Sequence, residues 1–120
     1  MRTIRFLTLM AAVFSISTLT CRAEDMPTLL GYGNRSCDHF VKMWPGVETG
    51  VEKDIDEFMR YQDWLAGFVS GLNLATGRDA LAGVTLEGAL GRIRLYCVEH
   101  RKDDFFSATM DLVRILSPLR

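Results

Sequence analysis

Between Ile55 and Asn73 apolar side chains return at helical spacing, and this run limits the fold more than any other stretch of the chain. Ile55, Phe58, Met59, Leu65, Phe68, Val69 and Leu72 follow the i, i+3, i+4 pattern of a helix with one face in a core. Tyr61, Trp64 and Phe68 add an aromatic strip beside that face. The helix is therefore expected to be apolar over more than half its circumference and to lie in the middle of a small bundle. Gly67 and Gly71 sit one turn apart on a shared face, and each costs about 1 kcal/mol relative to Ala in a helix interior. Two such costs on one face suggest that another backbone comes close. Asp63 and Asn73 interrupt any apolar run long enough to span a bilayer, so close packing within a bundle is favoured over a transmembrane pair. No stable membrane insertion is expected.

Ahead of this helix, residues 1–23 carry Arg2 and Arg5, an apolar run from Phe6 to about Leu19, and the ending Cys21-Arg22-Ala23. That is the pattern of a secretory signal peptide cleaved after Ala23, and it marks the mature chain for export. Lipidation at Cys21 is the alternative, disfavoured by Thr20 and Thr18 where a small residue and a Leu are usual. Removing 23 residues from 120 leaves 97, enough for one domain whose core alone gives modest stability. The mature chain keeps Cys37 and Cys97, and one remaining pair in an exported chain most simply forms a disulfide. Closing a loop of about 60 residues is worth roughly 4 kcal/mol. The competing reading is a zinc site, because His39 lies two residues after Cys37 and His100 three after Cys97. A Cys-x-His element splits its side chains around a helix, and an oxidising compartment favours the disulfide. Both histidines read as surface or cap residues, and neither a metal nor a cofactor is expected.

All 15 acidic residues lie beyond Ala23, against 11 basic ones, so the mature balance is −4. A mildly acidic domain without a basic stripe argues against nucleic acid.

Residues 24–35, with Pro27, Gly31, Gly33 and Asn34, read as an extended N-terminal arm, and 36–120 as a single helical domain. Ser36 is a candidate N-cap for a short helix bearing Cys37, Phe40 and Val41, ended by Pro45-Gly46. Trp44 beside that turn reads as a lid on its own core ahead of a partner contact. Glu52, Asp54, Asp56 and Glu57 suit the first turn of the central helix, whose dipole favours carboxylates. They lack the spacing and the glycine of a calcium loop. Thr76 to Gly83 reads as the loop ending the central helix and as a candidate contact surface. Thr85 caps a third helix with Leu86, Leu90, Ile93 and Cys97 on its core side. Gly88 and Gly91 share a face of it, which is expected to pack near Gly67 and Gly71 and to make Gly67→Leu destabilising through overpacking. Asp103 or Asp104 caps a last helix with Phe105, Thr109, Leu112, Val113 and Leu116, ended by Ser117-Pro118. The expected fold is all-α, a small four-helix orthogonal-type bundle tied by one disulfide.

Nucleophilic catalysis needs a base within reach of a nucleophile. The only histidines lie beside cysteines expected to be oxidised, and Ser36 and Ser70 have no evident companion. There is no Gly-x-Ser-x-Gly elbow, phosphate loop or His-Glu-x-x-His pair. No enzymatic activity and no catalytic residue are expected.

Cys37-x-x-Phe40, then Trp64-x-x-Gly67-Phe68-x-x-Gly71-x-Asn73, then Tyr96-Cys97 and a final amphipathic helix resemble a group of small exported Proteobacterial helical proteins. The group includes the immunity proteins that protect against peptidoglycan amidases delivered by type VI secretion. It is similar in layout to the periplasmic acid-stress chaperones of the Hde family. The resemblance implies a helical domain tied by Cys37 and Cys97, located in the periplasm, that acts by binding another protein, for the immunity proteins a peptidoglycan-degrading effector blocked through a surface loop. Homodimers are common in that family, and no individual inhibitory residue transfers. For the chaperone reading, protonation of the carboxylates and both histidines would take the mature chain from −4 to about +13, a self-repulsion that loosens a small bundle. The chain lacks that family's lysine-rich tail, ending Ser117-Pro118-Leu119-Arg120. An immunity or inhibitor role is the leading expectation, ahead of an acid-activated chaperone or a structural envelope protein.

Overall fold

The computed structural model describes residues 28–117. The signal peptide, its cleavage site, Cys21 and Pro118 lie outside the described residues. A 3-10 turn at Gly31–Asn34 leads into α1 (Cys37–Lys42), α2 (Trp44–Glu48), α3 (Glu52–Thr76), α4 (Leu86–Glu99) and α5 (Phe105–Leu116). Met43 keeps helical torsions between α1 and α2, so those two form one bent unit and the fold is a four-helix bundle without a strand among the described residues. The first helix was expected to stop at Pro45-Gly46. Instead the break falls at Met43, and Pro45 occupies the first turn of α2, where its missing N–H is not needed.

Three helices begin where local capping chemistry places them. Ser36 accepts from the His39 amide, Thr85 from Gly88 and Asp104 from Ser107. The caps of α1 and α5 are joined to each other. Cys37 N–H donates to the Asp103 carbonyl at 2.7 Å, Asp38 N–H to Arg101 at 3.0 Å and Phe105 N–H to Arg35 at 2.9 Å. On α4, Ala89, Leu90, Ile93 and Cys97 are buried, and on α5 Phe105, Ala108, Thr109, Leu112 and Val113. The Cys37–Cys97 disulfide joins α1 to α4, with Cα atoms 4.8 Å apart across 60 residues of sequence.

At the centre, Phe40, Tyr61 and Phe105 are fully buried, with pairwise ring-centroid distances of 4.8, 4.8 and 4.9 Å. Each ring comes from a different helix, in tilted or edge-on geometry. Leu65 and Val69 extend this core along α3.

The central helix is less enclosed than its periodicity implies. Ile55 and Met59 are 38% and 47% exposed, while Tyr61, placed by the pattern in the flanking strip, is fully buried. The glycines correct a second expectation. A Cβ added at Gly67, Gly71 or Gly91 would meet nothing within 4 Å, and at Gly88 only the adjacent Val84 and Thr85 side chains. The α3 and α4 glycine faces do not pack together, so Gly67→Leu meets no overpacked neighbour. The close approach lies at the first turn instead. A Cβ at Gly33 would overlap the Trp64 indole, Gly31 lies against the same ring with φ +74°, and the indole Nε1–H donates to the Leu30 carbonyl at 3.0 Å. The segment read as an extended arm therefore closes, from Gly31 onward, over α3 as a seat for Trp64.

These contacts give opposite signs to two glycine substitutions. Gly33→Ala should destabilise the fold by about 1–3 kcal/mol through overpacking. Gly67→Ala should stabilise it by about 0.5–1 kcal/mol by relieving helix-interior entropy. Urea unfolding of the oxidised protein measures both; equal signs would contradict this assignment.

Candidate functional site

The sequence-derived residues divide between framework and surface. Cys37, Cys97 and Phe40 are buried core. Trp64 stacks on Phe68 at 5.2 Å, and Phe68 meets Phe106 edge-on at 5.5 Å. Gly67 and Gly71 face solvent. Tyr96 donates to Asp103 Oδ2 at 2.6 Å, tying α4 to the turn before α5. That hydrogen bond, with burial and the charge of Asp103, pushes the Tyr96 phenol up to about 12. Trp44 is a lid, edge-on to Phe40 and Phe58 with the Arg94 guanidinium 4.4 Å from its ring centroid.

His39, read as a surface or cap residue, belongs to a polar cluster. Its Nδ1 lies 2.6 Å from the Tyr61 hydroxyl and its Nε2 3.6 Å from Glu57 Oε1, while Tyr32 donates to Glu57 Oε2 at 3.1 Å. Burial raises the Tyr61 pKa, so its hydroxyl stays protonated and shares a hydrogen bond with Nδ1. The cluster spends its hydrogen bonds on joining the 3-10 turn, α1 and α3. His100 packs on Tyr96, with ring centroids 4.1 Å apart, and its Nδ1 lies 2.9 Å from the Tyr96 carbonyl at the end of α4. Both described cysteine sulfurs are bonded to each other, which removes the thiolates a zinc site would use. Among the described residues no group of three or more His, Cys, Asp or Glu could hold a metal ion. No described helix is long and apolar enough to cross a membrane.

On the other side of the core, α3 and α5 diverge to leave a groove of about 460 Å³. Leu72 and Thr76 line it from α3, Met110, Val113 and Arg114 from α5, and Arg78 and Ala80 from the connecting loop. That volume falls within the range of small-ligand and side-chain clefts. The loop forming one wall is pinned at four points. Asn73 Oδ1 accepts from Ala80 N–H at 2.7 Å, Asp79 carboxylate oxygens accept from Leu81 N–H at 3.0 Å and Gly83 N–H at 2.8 Å, and Ser117 Oγ donates to the Ala80 carbonyl at 3.2 Å. The loop's own Ala80 and Leu81 are buried. Gly77 ends α3 in the left-handed conformation at φ +67°, and Ala82 adopts φ +50° without being glycine. At a residue other than glycine such a torsion costs on the order of 1 kcal/mol and persists only where the surroundings hold it.

The loop was legible as a candidate surface, but the groove was not. Its lining comes from residues far apart in the chain, and only Asn73 and Asp79 beside Gly77 carried a local turn signal. No family model, curated protein or solved structure matches the chain.

Two measurements test this geometry. Asn73→Ala leaves the Ala80 amide without its acceptor, which should cost about 1–3 kcal/mol. It should also speed hydrogen exchange across residues 78–84, whereas Asn73→Asp retains an acceptor and most of the protection. Unchanged exchange in the alanine variant would contradict the pinned loop. Because the folded state holds the Tyr96 proton more tightly than the unfolded chain, that tie is complete below about pH 10 and fades as pH rises toward about 12. The urea midpoint should fall across this window and fall less steeply in Tyr96→Phe, the remainder coming from Tyr61. Parallel pH profiles would rule out the contribution.

Proposed function

We propose that this chain is a small exported, non-enzymatic protein that acts in the periplasm by binding another protein, as an immunity or inhibitor protein does. The observation that carries the reading is the apolar groove between α3 and α5 with its pinned, strained loop. A rigid concave surface gives up little conformational freedom when it docks a partner, so less affinity is lost to ordering. In the immunity family that the sequence resembles, a surface loop makes the inhibitory contact, and a peptidoglycan-degrading effector is the partner that resemblance implies.

A second reading, an acid-activated chaperone, draws on the carboxylates that tie elements together. Glu57 accepts from Tyr32, Asp103 from Tyr96, Asp104 caps α5, and Asp38 accepts from Arg101. Lys42 and then Arg101 hold the Asp38 carboxyl below the usual carboxylate range against the opposing effect of desolvation. Stability from that pairing is present above the ordinary carboxylate pKa and lost as pH falls through the lowered one.

The mature, oxidised protein immobilised at neutral pH should retain one stoichiometric partner from periplasmic extract. Met110→Asp, and Thr76→Lys at an exposed groove position, should lose it while keeping the wild-type near-UV circular dichroism. Many unrelated clients retained only at about pH 3, where carboxylates are largely protonated, would replace this reading with the chaperone. An empty column at both pH values would overturn protein binding.

A further inference from the structure

We infer that the α3–α5 groove takes an acidic apolar segment of its partner, one bulky apolar side chain entering the cleft and a carboxylate meeting Arg78 and Arg114. The inference rests on the protein-binding reading and adds the chemistry of the occupant. Within the cleft the contacts on offer are apolar: Leu72, Ala80, Met110 and Val113. Its hydroxyls are already engaged, Thr76 donating to the Leu72 carbonyl at 2.8 Å and Ser117 to Ala80. Away from the arginines, a polar occupant would therefore find no free donor among these side chains to replace its water, whereas an apolar side chain gains by burial. Met110 adds a flexible, polarisable side chain that adapts to such an occupant.

The charged groups lining the groove are both arginines. Arg78 is exposed and makes no ion pair among the described residues, and Arg114 is 71% exposed at the side chain, with Asp111 at 3.6 Å its partner within α5. Asp79, the nearest carboxylate in sequence, is committed to the loop amides of Leu81 and Gly83. Two guanidiniums beside an apolar cleft on a chain whose net charge is −1 form a local reversal of sign. A guanidinium gives a carboxylate paired, charge-assisted hydrogen bonds, so this arrangement selects an anion next to an apolar group. A cationic or wholly neutral segment would leave the arginines without a counter-charge.

Two dyes with the same aromatic body separate these contributions. The probes are 1-anilinonaphthalene-8-sulfonate and its sulfonate-free counterpart N-phenyl-1-naphthylamine, titrated by fluorescence into the folded, oxidised protein. The sulfonate should bind at one per chain and about tenfold more tightly than the neutral dye, the scale of one charge-assisted contact. Met110→Asp should weaken both probes. Arg78→Gln with Arg114→Gln, both at exposed positions, should remove the preference and leave neutral-dye binding unchanged. Equal affinities in the wild type, a preference that survives loss of both arginines, or no binding at all would overturn the inference. A partner captured equally well by wild type and the double arginine variant would overturn it while leaving protein binding intact. An empty capture column with the sulfonate preference present would instead overturn the partner, making a free anionic amphiphile the occupant.

Discussion

The contact on which the rest of the structure depends is the triangle of Phe40, Tyr61 and Phe105. It is the place where α1, α3 and α5 meet, and all three rings are withdrawn from solvent. Truncating one such ring to alanine typically costs about 3–5 kcal/mol, a large part of what a domain of this size has. The disulfide acts one helical turn away from Phe40, at Cys37, and brings α4 to the same centre. The crosslink limits the unfolded chain, whereas the rings select the native arrangement. Together they fix four helix directions without a large core.

From that centre two further layers follow. On one side, the Gly31–Asn34 turn seats Trp64 and places Tyr32 edge-on to Tyr61 at 4.8 Å, while Glu57 and His39 complete the polar cluster beneath it. On the other, Leu72 and Asn73 carry α3 past the core to the loop, and Phe105 sets the line of α5 toward Met110 and Val113. The groove is thus a consequence of how two helices leave a shared aromatic contact, and the Asn73 and Asp79 hydrogen bonds hold its third wall. Stability and the candidate binding surface share residues only at its base, so groove substitutions at Thr76 or Arg78 leave the triangle intact.

Much of this was legible in the sequence where the signal is local. Ser36, Thr85 and Asp104 act as caps because a side-chain oxygen needs only an amide two or three residues on. The core sides of α4 and α5, the end of α3 near Gly77 and the cysteine pairing were equally readable. What failed concerned direction and distance. Propensity shows that Gly67 and Gly71 cost helix stability, but not whether a neighbour faces them. Gly33, with its indole partner 31 positions further on, carries the close approach instead. His39 was undervalued because Tyr61 and Glu57 reach it only after folding. Ile55 and Met59 fit the helical period and still lie outside, since the core of α3 centres on Tyr61, Leu65 and Val69.

The central claim, that the α3–α5 groove is where this chain meets its partner, is tested most directly by photocrosslinking in intact cells. A benzoylphenylalanine in place of Thr76 samples the groove, and one in place of Gly67 samples the solvent side of the same helix. The account predicts a single discrete protein adduct from position 76 and none from position 67. An adduct from position 67 alone, or none from position 76, would contradict it.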